Sequence, residues 1–183
     1  MKAIILVGEQ GRGKSTEAQN IIRTFKKKDL YVYDINNDYK EFENNKIKGL
    51  PSMEQFLIIC ESVKNAVIVF EESTIFFGNR SRNEIIINLL VRNYHNRNVI
   101  VFLFHSVRSI PIEIMDFVQF IKFFHTNDRL TLIQNKYKDD TDLLNIYMDV
   151  YNKTYNTEKN RSTAEYLDER SKQYFHYSKT YSR

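Results

Sequence analysis

Cysteine, proline and glycine are scarce in this chain, and tryptophan is absent: its 183 residues include one Cys, two Pro and five Gly. The single cysteine, Cys60, excludes an internal disulfide and favours an intracellular, cytoplasmic protein. Its position in the apolar run FLIIC predicts a small buried core residue. Long apolar runs are also missing, because none approaches the roughly 20 residues that a membrane helix needs. We therefore expect no membrane span, and the short N-terminal stretch MKAIILVG is not typical of a signal peptide.

The composition is that of a soluble globular protein. Hydrophobic residues make up 42% of the chain and charged residues 27%, which excludes a disordered polar chain. The length is sufficient for one domain with a real core. A net charge of +4 permits a nucleic-acid partner without demonstrating one.

Strand-type and helix-type segments alternate along the chain, which predicts an α/β fold with a mostly parallel sheet covered on both faces. In such sheets ligands bind beyond the carboxyl ends of the strands. We expect the last two strands to form a hairpin about residues 126–128, followed by a helix and a basic tail. The predicted strands are 3–7, 30–35, 66–70, 99–104, 118–123 and 130–134, and the predicted helices are 15–28, 53–63, 82–94 and 139–155.

Three of the five glycines fall within six residues, in the stretch GEQGRGKS that follows the first strand. This stretch fits G-x-x-x-x-G-K-[ST] between a strand and a helix, the phosphate-binding loop of nucleotide-binding proteins. Backbone N–H groups would cradle the phosphates of ATP, Lys14 would reach the β- and γ-phosphates, and Ser15 would hold Mg²⁺. Thr16 would cap the helix or contact an α-phosphate. The residues predicted to bind nucleotide are Gly8, Glu9, Gln10, Gly11, Arg12, Gly13, Lys14, Ser15 and Thr16.

An acid pair, Glu71 and Glu72, follows the apolar strand AVIVF. Two adjacent carboxylates at a strand end repel each other unless a cation offsets their charge, and a magnesium nucleotide supplies that cation. Glu71 would bind Mg²⁺ directly or through water. Glu72 would orient and deprotonate the attacking water.

Polar residues also follow two other strands. His105 comes directly after the strand 99–104, where a polar side chain can sense the γ-phosphate. Asp34 and Asp38 follow the second strand, where they would either approach the nucleotide or a partner subunit, or form an ordinary turn. The four histidines are not spaced like a metal-ligand set.

Taken together, the stretches GEQGRGKS, YVYDINNDY, AVIVFEEST and RNYHNRNVIVFLFHSVRSIP resemble the HerA/FtsK superfamily of P-loop ATPases. More narrowly, they resemble viral DNA-packaging ATPases and zonula occludens toxin-like phage proteins. The resemblance covers residues 1–135 and departs from the family at Glu71, where Asp is usual, and at His105, where Gln is frequent. It implies a P-loop ATPase domain of the additional-strand type over residues 1–135, with residues 136–183 as a helical and basic extension.

The resemblance further implies a homo-oligomeric ring that couples ATP hydrolysis to the movement of DNA in genome packaging or virion assembly, in the host cytoplasm. In such rings an arginine of the neighbouring subunit completes each site. Arg97, which precedes the strand ending at His105, is the favoured candidate, followed by Arg80 or Arg82. The polar loop 78–82 and the tail 151–183 are candidates for DNA contact, although a solvated or subunit-bridging tail is the simpler interpretation.

Two other functions stay open at this point. A small nucleotide or nucleoside kinase also begins with a glycine loop, and Arg80 and Arg82 could belong to its lid. A nucleotide-binding assembly scaffold with little turnover would use ATP only to control association. Free phosphate stimulated by duplex DNA distinguishes the motor from a kinase, whose product is a phosphorylated nucleoside.

Overall fold

The computed structural model describes residues 2–25, 29–36, 38–45, 52–77, 79–161 and 178–182. Its centre is one six-stranded sheet with the strand order β2-β3-β4-β1-β5-β6. The first five strands run parallel, and β6 pairs antiparallel with β5. The mostly parallel α/β sheet is therefore confirmed, with β4 as the additional strand between β1 and β3. The strands are β1 (Lys2–Val7), β2 (Asp29–Tyr33), β3 (Ala66–Phe70), β4 (Val99–Phe104), β5 (Phe120–Phe123) and β6 (Lys179–Ser182).

Helices cover both faces of this sheet and give the fold three layers. Successive side chains of a strand point to opposite faces, so Ile68 and Phe70 of β3 join one buried cluster while Val67 and Val69 join the other. The helices are α1 (Lys14–Thr24), α2 (Met53–Ser62), α3 (Ser73–Phe76), α4 (Arg80–Asn96), α5 (Leu130–Lys136) and α6 (Thr141–Arg161). Short 3-10 helices span Lys40–Asn45, Val107–Ser109 and Ile112–Phe117.

The two faces carry different helices. Residues of α1 pack on the face that holds Val67 and Val69, and residues of α2, α4, α5 and α6 pack on the opposite face. Cys60 of α2 is buried in that second cluster, as its apolar surroundings predict.

Among the described residues, no helix combines the length and the apolar character that spanning a membrane requires.

The strand predicted over residues 130–134 is wrong, and so is the hairpin about residues 126–128. Leu130–Lys136 is a helix, α5, whose Ile133 is buried in the core. The physical reason is that the edge of β5 is already occupied: Tyr181 of β6 lies opposite Ile121, so a strand from residues 130–134 has no partner there. The antiparallel partner of β5 comes from the far end of the sequence instead.

The start of one helix differs from the prediction. Residues 80–82 form the first turn of α4 and not a loop, because the Asn79 side chain caps the helix by accepting hydrogen bonds from the backbone N–H groups of Ser81 and Arg82. The division of the chain at residue 135 stays a prediction, although α6 and β6 pack on the same sheet as the preceding elements. Gly78 of the predicted polar loop and residues 162–177 and 183 of the tail lie outside the described residues.

Candidate active site

The glycine loop leaves the end of β1 between two neighbouring strands. The backbone N–H of Gly8 donates to the carbonyl of Phe104 at 3.0 Å, and that of Glu9 donates to the carbonyl of His125 at 2.9 Å. A Cβ atom at Gly8 would lie 2.5 Å from the Cβ of Phe124, closer than van der Waals contact allows. The loop thus begins where only a glycine fits, and its start is held by β4 on one side and the chain after β5 on the other.

Two other glycines turn the loop into α1. Gly11 and Gly13 have φ angles of 75° and 90°, a backbone region that other residues adopt only with strain. Gly13 is the N-cap of α1, and no side chain in the described part of the chain caps the first turn. The backbone N–H groups at this helix start and the positive end of the helix dipole are features that favour the binding of an anion.

Lys14 reaches back into the concave side of the loop. Its ammonium nitrogen donates to the carbonyls of Gly8 at 2.7 Å and Glu9 at 2.8 Å, and the side chain is only 6% exposed. Burial lowers the pKa of Lys14 to about 8, while the negative charges of Glu71 and Glu72 act in the opposite direction. A bound phosphate would therefore meet a preorganised and poorly solvated cation.

Glu71 and Ser15 meet at the end of β3, as a magnesium site requires. The Ser15 hydroxyl donates to Glu71 Oε1 at 2.6 Å, and the Tyr39 hydroxyl donates a short hydrogen bond to Glu71 Oε2. Burial raises the pKa of Glu71, and the hydrogen bonds from Ser15 and Tyr39 oppose that rise. Asp38 is also near, with one carboxylate oxygen 3.5 Å from the Ser15 hydroxyl. Hydroxyl and carboxylate oxygens are the ligands that Mg²⁺ prefers, so Ser15 and Glu71 fit the ion that a P-loop fold implies.

The base candidate Glu72 is linked to Lys14 through His105. His105 Nδ1 lies 3.4 Å from the Lys14 ammonium, which can only donate, so Nδ1 accepts. The proton of the neutral ring is then on Nε2, which donates to Glu72 Oε2 at 3.0 Å. The Glu72 side chain is 26% exposed and faces the cleft, where water can reach it.

These groups line a single cleft of about 670 Å³ at the carboxyl ends of the parallel strands. Of the predicted nucleotide-binding residues, Gln10, Gly11, Gly13, Lys14, Ser15 and Thr16 line it, together with Glu71, Glu72 and His105. Arg12 instead is buried and pairs with Glu9, with 3.4 Å between Nη2 and Oε2.

Arg97 lies outside this cleft. It has a φ angle of 55° and caps the C-terminus of α4, just before β4 begins, whereas His105 comes just after β4 ends. Six strand residues at about 3.3 Å each put Arg97 about 20 Å from the cleft along the sheet. The other arginines are engaged locally: Arg82 Nη1 donates to the carbonyl of Ile75 at 3.0 Å, and Arg80 pairs with Glu84 on the surface.

Residues after β2 contribute more to the site than the sequence analysis anticipates. Asp34 forms a turn, since its carboxylate accepts hydrogen bonds from the backbone N–H groups of Asp38 at 2.9 Å and Tyr39 at 3.2 Å. Asn36 and Asp38 line the cleft. The two acids therefore differ: Asp34 forms an ordinary turn, and Asp38 faces the candidate nucleotide site. Tyr39 could not be predicted from the sequence, because no spacing rule links a tyrosine to the end of a strand 32 residues later.

The aromatic core keeps the acid pair in place. Phe70, the last residue of β3, stacks on Phe102 with ring centroids 4.9 Å apart and meets Phe76 edge-on at 5.0 Å. The Ser73 hydroxyl donates to the Phe70 carbonyl at 2.9 Å, which closes the turn that contains Glu71 and Glu72. The two carboxylates therefore extend from a rigid strand end.

Comparison with known proteins finds similarity in structure and none in sequence. No model of a protein family matches the chain, and no curated protein sequence does. Among solved structures, the genome packaging NTPase B204 from Sulfolobus turreted icosahedral virus 2, in complex with AMPPCP, is similar with a TM-score of 0.61 at 16% identity, over 76% of this chain and 84% of that one. The ATP-gammaS complex of the same protein gives a TM-score of 0.59 at 15% identity, over 74% and 81% of the two chains. B204, the DNA-packaging ATPase from Sulfolobus turreted icosahedral virus, gives 0.58 at 14% identity, over 74% and 82%. The chain therefore has the three-layer α/β fold of P-loop NTPases, in the form found in these viral genome-packaging NTPases.

Proposed function

We propose that this protein is an ATP-hydrolysing subunit of a viral DNA-packaging or virion-assembly motor of the HerA/FtsK superfamily. The observation that carries the proposal is the convergence, in one cleft, of a phosphate loop, a Ser15–Glu71 oxygen pair and a Glu72–His105–Lys14 chain. The fold shared with packaging NTPases supports the same assignment.

Each group has a defined task in this proposal. The loop N–H groups and Lys14 would bind the β- and γ-phosphates, and Ser15 with Glu71 would hold Mg²⁺. When bound, the ion neutralises the charge that develops on the phosphate oxygens. Glu72 orients the attacking water and takes its proton. His105 holds Glu72 in position through the hydrogen bond that its Nε2 donates.

The acid pair favours hydrolysis over phosphoryl transfer to a nucleoside. A kinase needs room for an acceptor and arginines that close over it, yet Arg82 is bound to the carbonyl of Ile75 and Arg80 to Glu84, outside the cleft lining. Glu72 faces the cleft with a hydrogen bond from His105, an arrangement suited to a water nucleophile.

DNA and a ring of identical subunits are the proposed partners. The DNA partner is supported by the resemblance to packaging ATPases and by the packaging NTPases of the same fold. Arg97 would act only in trans, since it is about 20 Å from the cleft of its own subunit. This requires a ring in which the edge of one subunit that carries Arg97 meets the cleft of the next.

The test is phosphate release from ATP with and without duplex DNA, alongside a mass measurement of the assembly. The motor predicts free phosphate that DNA stimulates and an assembly larger than one subunit. A phosphorylated nucleoside as the product would establish a kinase. Nucleotide binding with assembly but no turnover under any DNA condition would establish a scaffold, and Glu72→Gln provides the matched inactive control.

A further inference from the structure

Side-chain donors hold the Glu71 carboxylate at both of its oxygens. Oε1 accepts from Ser15, which begins α1 next to the phosphate loop, and Oε2 accepts from Tyr39, which follows β2. Glu71 itself is 5% exposed, so its carboxylate is largely shielded from solvent. The two oxygens have different surroundings: Oε1 is on the side of the cleft and Oε2 is on the side of the buried ring.

Tyr39 is itself fixed by its surroundings. It is fully buried, and its ring packs in the cluster formed with α1 and the α1-facing side of the sheet. Its backbone N–H donates to the Asp34 carboxylate, and its carbonyl accepts from the N–H of Phe42 at 3.0 Å. Burial and the neighbouring Glu71 raise the pKa of the Tyr39 hydroxyl, so it remains a donor near neutral pH.

We propose that Tyr39 is a positioning residue for the magnesium site, whose hydroxyl holds Glu71 Oε2 so that Oε1 faces Ser15. The inference rests on the proposed function, because it assigns a role within the same site. Glutamate has one more rotatable bond than aspartate, so its carboxylate can adopt more orientations. The hydrogen bond from Tyr39 restricts that freedom. Partners of this kind typically change metal affinity by about 10–100-fold when they are removed.

Tyr39→Phe tests the proposal because it deletes the hydroxyl and keeps the ring. The measurement is the affinity for a non-hydrolysable ATP analogue, once with excess Mg²⁺ and once with EDTA. In the wild type we expect tighter binding with Mg²⁺. We call the ratio of the affinity with Mg²⁺ to the affinity with EDTA the Mg²⁺-dependent gain. In Tyr39→Phe we expect this gain to fall by about tenfold or more, with the affinity in EDTA unchanged within about twofold.

Tyr181→Phe is the matched control. The Tyr181 hydroxyl donates to Asp140 Oδ2 at 2.7 Å, so this variant also deletes a tyrosine–carboxylate hydrogen bond, but on β6. It should keep the wild-type gain from Mg²⁺. A merely structural role of Tyr39 would lower the melting temperature and weaken binding equally in both solutions, which would overturn the proposal.

Two further variants keep the inference testable. In the Glu71→Gln background, adding Tyr39→Phe should cause little further loss of the Mg²⁺-dependent gain, because Tyr39 acts through the Glu71 carboxylate. If Tyr39→Phe does not fold, Asp34→Asn replaces it, since an amide cannot accept from both backbone N–H groups that hold the turn. That variant should reduce the gain in the same direction.

The outcomes separate the two claims. A wild-type protein that binds no nucleotide in either solution would overturn the proposed function and this inference with it. A wild-type protein that responds to Mg²⁺, beside a folded Tyr39→Phe that responds equally, would overturn the role of Tyr39 alone.

Discussion

His105 offers the sharpest test of how the cleft works. The ring accepts from Lys14 at Nδ1 and donates to Glu72 at Nε2, so it needs one acceptor and one donor about 3 Å from its partners. A glutamine offers the same pair, with its carbonyl towards Lys14 and its amide N–H towards Glu72. Phenylalanine keeps the bulk and removes both groups. We therefore expect His105→Gln to keep most of the activity and His105→Phe to lose it.

The magnitude follows from the contact with Glu72. A hydrogen bond to a charged group contributes about 1.5–3 kcal/mol, and the 43% exposure of the His105 side chain favours the lower limit. About 1.4 kcal/mol is tenfold in rate, so His105→Phe should lower kcat by roughly tenfold or somewhat more. The KM for ATP should change much less, since the loop and Lys14 hold the phosphates.

Steady-state phosphate release with Mg²⁺ and DNA provides the assay. His95→Gln is the control, because His95 is exposed on α4, outside the cleft lining. Full activity of His105→Phe would refute the role of the ring. An equally large loss of activity in His105→Gln and His105→Phe would indicate that the imidazole itself is required. It would refute the argument that one donor and one acceptor are sufficient.

The remaining predictions concern the loop, the base and the subunit contact. Because burial lowers the pKa of Lys14 to about 8 and bound phosphate favours its charged form, nucleotide binding should take up protons near pH 8 and weaken as the pH rises above 8. Calorimetry in two buffers of different ionisation heat measures this uptake, and identical heats would contradict it. Gly8→Ala should lower the free energy of unfolding by about 1–3 kcal/mol in urea titrations, because its Cβ would meet Phe124 at 2.5 Å, whereas an unchanged midpoint would argue against that contact. Glu72→Gln should bind nucleotide normally and hydrolyse it about 10²-fold more slowly or worse, and normal turnover would remove Glu72 as the base. Mixing Arg97→Ala subunits with Glu72→Gln subunits should partly restore activity at shared interfaces, and intact rings that show no recovery at any ratio would exclude Arg97 from acting in trans.

Local sequence patterns were enough to predict the part of the fold that positions the site. The runs 66–70 and 99–104 are continuous and apolar because their strands are buried on both faces, and the structure has β3 and β4 at those bounds. The glycine loop could be located because local geometry requires its glycines: the backbone packs closely at Gly8, and φ is positive at Gly11 and Gly13. The meeting of Glu72 and His105 at one edge follows from the parallel arrangement of their strands.

Pairing over long distances could not be predicted in this way. Residues 130–134 have the composition of a strand, yet the edge of β5 is occupied by residues 179–182, which no local pattern indicates. Tyr39 was missed for the same reason, since its partner Glu71 is distant in sequence and the contact depends on how the turn at Asp34 folds. The start of α4 was misplaced because the capping side chain of Asn79 determines where this helix begins.

A crystal structure with Mg²⁺ and a non-hydrolysable ATP analogue tests the central claim most directly. We predict the β- and γ-phosphates within hydrogen-bond distance of the loop N–H groups and the Lys14 ammonium, the ion beside Ser15 and Glu71, and Glu72 facing the γ-phosphate through one water molecule. A nucleotide bound elsewhere with the loop empty, or a bound triphosphate with both carboxylates turned away from it, would contradict the account.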